Sequence, residues 1–165
     1  MSTKRIVIIL VLIFCFVGFD QSSKQIAKHN LENSLGVSYL NGFIRFEYVE
    51  NPGAVFGLGA ELPSSIRFMI LTAGISLISF LFIFFFVIKK QKIFIKEISL
   101  TIILSGGIGN LLDRVFNEGK VIDFIIIGTK NIHTAVFNLA DLFIIVGTIL
   151  FVFSSVKSKT EKNLG

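Results

Sequence analysis

Two carboxylates stand where carboxylates are costly. Asp141 is the only charged residue in VFNLADLFIIVGTILFVFSSV (Val136–Val156), and Asp123 interrupts a second apolar stretch, VIDFIII, eighteen residues earlier. An acid on a membrane-spanning helix must face the protein interior, find a partner or take up a proton. Two such acids near one membrane face predict a site with acid–base or cation-binding chemistry. Asn138 lies at i−3 from Asp141 and can donate a hydrogen bond into that site. Asn110, Asp113 and Arg114 in GGIGNLLDR (Gly106–Arg114) fall at i, i+3 and i+4, so they project from one helix face. The alternative for this stripe is a solvated helix end; convergence of three polar groups favours a supporting shell. Gly106, Gly107 and Gly109 permit close approach of another helix or a substrate.

Other constellations carry less. Asp20 and Lys24 are an i, i+4 pair with the acid first, the order that favours an ion pair anchoring a helix end. Ser22 and Ser23 are too close in sequence to Lys24 to face it on a helix, which argues against a Ser–Lys dyad. His29 and His133 are far apart and no H-E-x-x-H is present, so the sequence predicts no metal site. Cys15, in an apolar helix, reads as a small hydrophobe.

The elements that must position these residues follow from composition. Of 165 residues, 53% are hydrophobic and 16% charged, with nineteen Phe, no Trp and a mean hydropathy of +0.79. A soluble domain of this size needs more polar surface. The expected fold is an all-α integral membrane protein, one domain over 1–165, with a small β-sheet on the outer membrane face. Spans are expected at about 6–28, 66–88, 93–113 and 136–156, given that a bilayer core needs about 20 apolar residues. The N-terminal segment lacks an A-x-A-like cleavage site and is read as a retained first span. Lys4, Arg5, Lys89, Lys90, Lys92, Lys96, Lys157, Lys159 and Lys162 gather at one set of helix ends, whereas the opposite side carries seven basic residues spread over longer loops. This places both termini in the cytoplasm. The net charge of +5 is accounted for by topology and anionic headgroups, with no nucleic acid required.

The outer β segment is expected at about 37–60. Asn41-Gly42 is a turn signal, and Ile44, Phe46 and Tyr48 then alternate with Arg45, Glu47 and Val49 as in a half-buried strand. Asn51-Pro52-Gly53 ends the strand, and Ala54–Gly59 reads as a second extended piece.

In combination, FDQSSK (Phe19–Lys24), ENPGAVFG (Glu50–Gly57), GGIGNLLDR, VIDF (Val121–Phe124) and FNLAD (Phe137–Asp141) resemble the lipoprotein signal peptidase (signal peptidase II) family along the whole chain. One departure is Val55, where the family usually carries a second Ala. The resemblance implies an aspartic endopeptidase of the bacterial plasma (inner) membrane, active near the outer face. It would cut prolipoproteins on the N-terminal side of a diacylglyceryl-modified cysteine. The catalytic pair would be Asp123 and Asp141. Asn51, Asn110, Asp113, Arg114 and Asn138 would orient substrate and dyad, with Asp20 and Lys24 mainly structural. It further implies contact with membrane lipids, inhibition by globomycin-type cyclic peptides, and no metal or organic cofactor. Acid–base chemistry agrees: two close carboxylates share one proton. The charged acid activates a water, and the protonated one polarises the scissile carbonyl and later protonates the leaving amine. A proton- or cation-binding transporter is the competing class, although four spans leave little room for an alternating-access repeat. A helix-assembly factor is the third. Cleavage of a peptide bond by the purified protein separates them.

Overall fold

A computed structural model describes residues 3–53, 61–63, 65–66, 68–70, 73–74, 77, 81 and 94–163. Three helices in it are long and apolar enough to cross a membrane. They are α1 (Thr3–Leu31), α2 (Phe94–Phe116) and α3 (Leu139–Asn163). The span expected at 66–88 lies mostly outside the described residues, as does the extended piece Ala54–Gly59 with Val55. At 29 residues, α1 is about 43 Å long, more than a hydrocarbon core requires.

The helices turn their apolar residues outward and their polar ones inward. Val7, Leu10, Val11, Phe14 and Phe19 of α1 and Phe153 of α3 are exposed, while Asp20, Lys24, Ser99, Thr101, Ser105 and Asn138 are buried. Lipid removes the reason to hide aliphatic side chains, so packing relies on small residues and hydrogen bonds. Gly106 lies against the Ala140 carbonyl and Ile144, Gly109 against the Asp20 carboxylate and Ala140, and Gly147 against the Ser99 carbonyl and Ile103. A Cβ at any of the three would collide with these atoms. Ser99, Thr101 and Ser105 return their hydroxyls to carbonyls four residues back, at 2.7, 2.7 and 2.8 Å, and so pack as small residues. At the other end of the bundle Arg5 pairs with buried Glu97, joining the first turns of α1 and α2.

A three-stranded antiparallel sheet caps the bundle in the order β1 (Val37–Tyr39), β2 (Ile44–Asn51), β3 (Val121–Ile127). The Asn41-Gly42 turn forms as expected, with Leu40, Asn41 and Gly42 at φ 52°, 55° and 84°. The strict alternation expected along 44–49 does not hold. Phe46 pairs with Ile125 but Val49 pairs with Asp123, so a bulge intervenes and shifts the register. Phe46 and Tyr48 both pack against the core of Ala27, Leu31, Ile122 and Phe124, where α1 meets the sheet. VIDFIII is the outer strand of the sheet: β2 covers one edge, and on the other Phe137 bonds to Phe124 and Ile125. Its nearly continuous burial explains why the segment is apolar without alternation.

Candidate active site

Four segments bring the site together. β3 begins five residues after α2 ends, through a turn with Glu118 and Gly119 at positive φ. The turn carries Ile122 back over α2, where its N–H donates to Asp113 Oδ2 at 3.0 Å. Asp123 follows on the strand, 3% exposed. On β2, Asn51 pairs with Val121, which makes it the diagonal neighbour of Asp123. Its Nδ2 donates to Asp123 Oδ2 at 2.8 Å, while its Oδ1 accepts from the Gly53 N–H at 2.9 Å.

Asp141 stands in the first turn of α3. The span was expected from Val136, but the helix begins at Leu139 because Asn138 is its N-cap. Asn138 Oδ1 accepts from the Asp141 N–H at 3.0 Å, and Asp141 Oδ2 accepts from the Asn138 N–H at 3.3 Å. This reciprocal capping box fixes both side chains. With its oxygen committed to the cap, the Asn138 amide must point its Nδ2 away, and it donates to Asp123 Oδ1 at 2.7 Å. Asn138 therefore belongs to the helix start rather than to a helix face shared with Asp141.

Asn110 completes the link. Its Nδ2 donates to Asp141 Oδ1 at 2.9 Å, and its Oδ1 accepts from Asn138 Nδ2 at 3.1 Å and from Lys24 Nζ at 3.0 Å. Lysine can only donate, so Lys24 dictates which way the Asn110 amide faces. The two acids are thus joined by neutral amides in the order Asp123, Asn138, Asn110, Asp141. Asp123 is pushed up to about 6, first by burial and then by the charge of Asp141, against the lowering effect of its bonds from Asn51 and Asn138. Asp141 is half-buried.

The remaining expected residues divide. Arg114 donates to the Asn110 carbonyl and, at 3.0 Å, to the Gly53 carbonyl, tying the segment after Asn51 to α2. Asp20 and Lys24 form the expected pair at 2.8 Å, but Lys24 also contacts Asp113 at 3.0 Å. Asp113, grouped by the sequence with the orienting residues, sits in this ion cluster and touches neither acid of the dyad; it is linked to them through the β3 backbone and through Lys24 and Asn110. Asp20 Oδ1 accepts from the Ala140 N–H at 2.9 Å, connecting the first helix to the last. Sequence reasoning missed Gln21, whose Nε2 donates to Asp113 Oδ1 at 2.8 Å and to the Gly109 carbonyl at 3.1 Å. The available signal was an amide at i+1 beside Asp20 and Lys24 on one stripe of α1.

A polar-cored bundle that holds two amide-linked carboxylates beneath a small sheet is the architecture of a membrane enzyme. Two solved bacterial membrane enzymes share the fold. One superposes with a TM-score of 0.82 at 24% identity, covering 95% of this chain and 92% of that one; the other gives 0.75 at 25%, covering 92% and 94%. The model of the Signal peptidase (SPase) II family matches residues 12–157. The lipoprotein signal peptidase of Borrelia hermsii (strain HS1 / DAH) is 33% identical over 167 residues, covering 96% of this chain and 95% of the relative. That of Syntrophus aciditrophicus (strain SB) is 31% identical over 162 residues, covering 97% and 99%. The chain belongs to the signal peptidase II family.

Proposed function

We propose that Asp123 and Asp141 are the catalytic pair with which this membrane protease removes signal peptides from prolipoproteins, cutting on the N-terminal side of the diacylglyceryl-modified cysteine. The observation that carries this reading is the contact set of the two acids. Among the described residues their side chains bond to the amides of Asn51, Asn110 and Asn138, not to a cation. Neutral donors steady a carboxylate without fixing it in the charged form, which leaves the pair able to hold one proton.

Burial assigns that proton to Asp123. Half-buried Asp141 then takes a proton from a water, and the resulting hydroxide attacks the scissile carbonyl. Asp123 hydrogen-bonds the carbonyl oxygen and afterwards delivers its proton to the leaving amine. The pair ends with one proton, now on Asp141. Asn51 and the Gly53 segment, tethered by Arg114, stand beside Asp123 as the strand along which a substrate backbone would lie.

A four-span arrangement, with 66–88 as the second span, puts the site at the outer face of the bacterial plasma membrane and both termini inside. The basic residues near the N-terminus and at 89–96 support this orientation. Globomycin-type cyclic peptides fit the same reading as competitors for the site. The test is cleavage of a lipidated prolipoprotein peptide by the purified protein in detergent, with products identified by mass. The expected product begins at the lipid-bearing cysteine, and the unlipidated peptide is cut far more slowly. Cleavage elsewhere, or equal rates on both peptides, rejects the assignment.

A further inference from the structure

Away from the dyad, α1 and the sheet enclose a groove of about 310 Å³ lined by Ile26, Ala27, Leu31, Val37, Phe46 and Phe124, with Ser23, Asn30 and Tyr39 at its margins. Its floor is the last third of a membrane helix. Taking Lys4 and Arg5 as the opposite boundary, about 20 residues of rise bring the hydrocarbon limit close to Ser23. The groove therefore begins at the top of the acyl region and climbs into the headgroup layer. Ile26, one of its lining residues, is 64% exposed, and Phe19 two turns earlier on α1 is 68% exposed, so the groove continues the lipid-facing surface of the helix. Lys28 and His29 lie in the last turn of α1, at the depth of the groove's upper end although neither lines it, with Glu50 and Glu32 as the neighbouring opposing charges. Basic side chains at that depth complement the phosphodiesters of the headgroup layer.

We propose that this groove is a phospholipid site. It seats the glycerol-proximal part of one acyl chain from the leaflet on the active-site side, and so binds the sheet to the membrane independently of substrate. The volume falls in the range of small-ligand pockets. Tyr39, a residue type favoured at membrane interfaces, lines the rim with its ring against Phe46 at 6.0 Å.

The chain supplies its own probe, having no Trp and only two Tyr, Tyr39 and Tyr48. In the Tyr48→Phe protein Tyr39 is the sole emitter. It is reconstituted into phosphatidylglycerol vesicles brominated near the glycerol end or near the methyl end of the acyl chain. Quenching is expected to be stronger from the glycerol end. It is expected to fall about two-fold or more when Val37→Asp is added on the exposed edge strand, because a seated chain is mostly enclosed by its pocket. Ala27→Phe, which fills the floor, should do the same. A saturating lipidated prolipoprotein peptide should leave the quenching unchanged. Equal quenching from both bromine positions overturns the proposal, and so does quenching indifferent to both substitutions in folded protein. Relief by the lipidated peptide also overturns it, by assigning the groove to the substrate's own lipid.

Discussion

Asn110 has an ion cluster on one side and an amide-held acid pair on the other. Asp20 and Asp113 share Lys24, and the Nζ of that lysine spends its three donors on the two carboxylates and on the Asn110 oxygen. Asp123 and Asp141 receive amide hydrogens from Asn51, Asn138 and Asn110. Both groups place two aspartates in a nonpolar setting, yet the first is neutralised by a cation and the second is not. The difference fits a division between structure and the proposed chemistry: one pair of carboxylates is tied into an ion cluster that joins the helices, whereas the other is held only by neutral amides. Asn110 joins the two, because the orientation of its amide is set by Lys24 and used by Asp141.

The sharpest way to break this comparison is to replace each acid of the pair by its amide. Asp123→Asn and Asp141→Asn should each lower turnover of lipidated substrate by at least about 10³-fold, as in other catalytic dyads and triads. Thermal stability at neutral pH should not fall in Asp123→Asn. Burial raises this acid from 3.8 to about 6, so its charge weakens the fold increasingly as pH climbs through that interval, and the amide removes the penalty. A variant keeping more than a tenth of the activity leaves the pair.

Lys24→Met should have the opposite signature. With the shared cation gone, Asp20 and Asp113 stay buried and uncompensated, and a loss of about 3–5 kcal/mol is expected from breaking a buried pair. Thermal unfolding in detergent measures it. Adding Asp20→Asn should return part of the stability. Unchanged stability in the single variant would mean that the cluster is not what holds the helices.

The smallest effect tests Asn51. Its hydrogen bond holds Asp123 down against burial, so Asn51→Ala should let the acid rise further and move the alkaline limb of the pH–rate profile to higher pH. A limb that stays in place while turnover falls would make Asn51 a substrate contact and not a tuner of the pair.

Legibility in the sequence followed the physics of each segment. Long apolar runs identified α1, α2 and α3, and the Asn41-Gly42 turn with its following alternation located β2. β3 was hidden because a strand covered at both edges and buried on both faces shows no period, so VIDFIII read only as an apolar run. The residues the sequence singled out do converge in space, yet their partners were illegible wherever a backbone atom is involved. Arg114 reaches the Gly53 carbonyl, Asp113 the Ile122 N–H and Asp20 the Ala140 N–H. Such contacts depend on how helices cross, which side-chain spacing does not encode. The i, i+3 spacing of Asn138 and Asp141 suggested a shared helix face, but the same spacing also defines a cap and the third residue after it.

That cap has a consequence for how the protein is made. α3 is made after α1, α2 and β3, and its first turn provides Asp141, the Asn138 bridge and the Ala140 N–H that Asp20 requires. A chain still emerging from the ribosome, with two or three helices already inserted, has one acid of the pair and none of its geometry. On the proposed pairing, proteolytic competence therefore waits for the first turn of α3 to join the segments made before it.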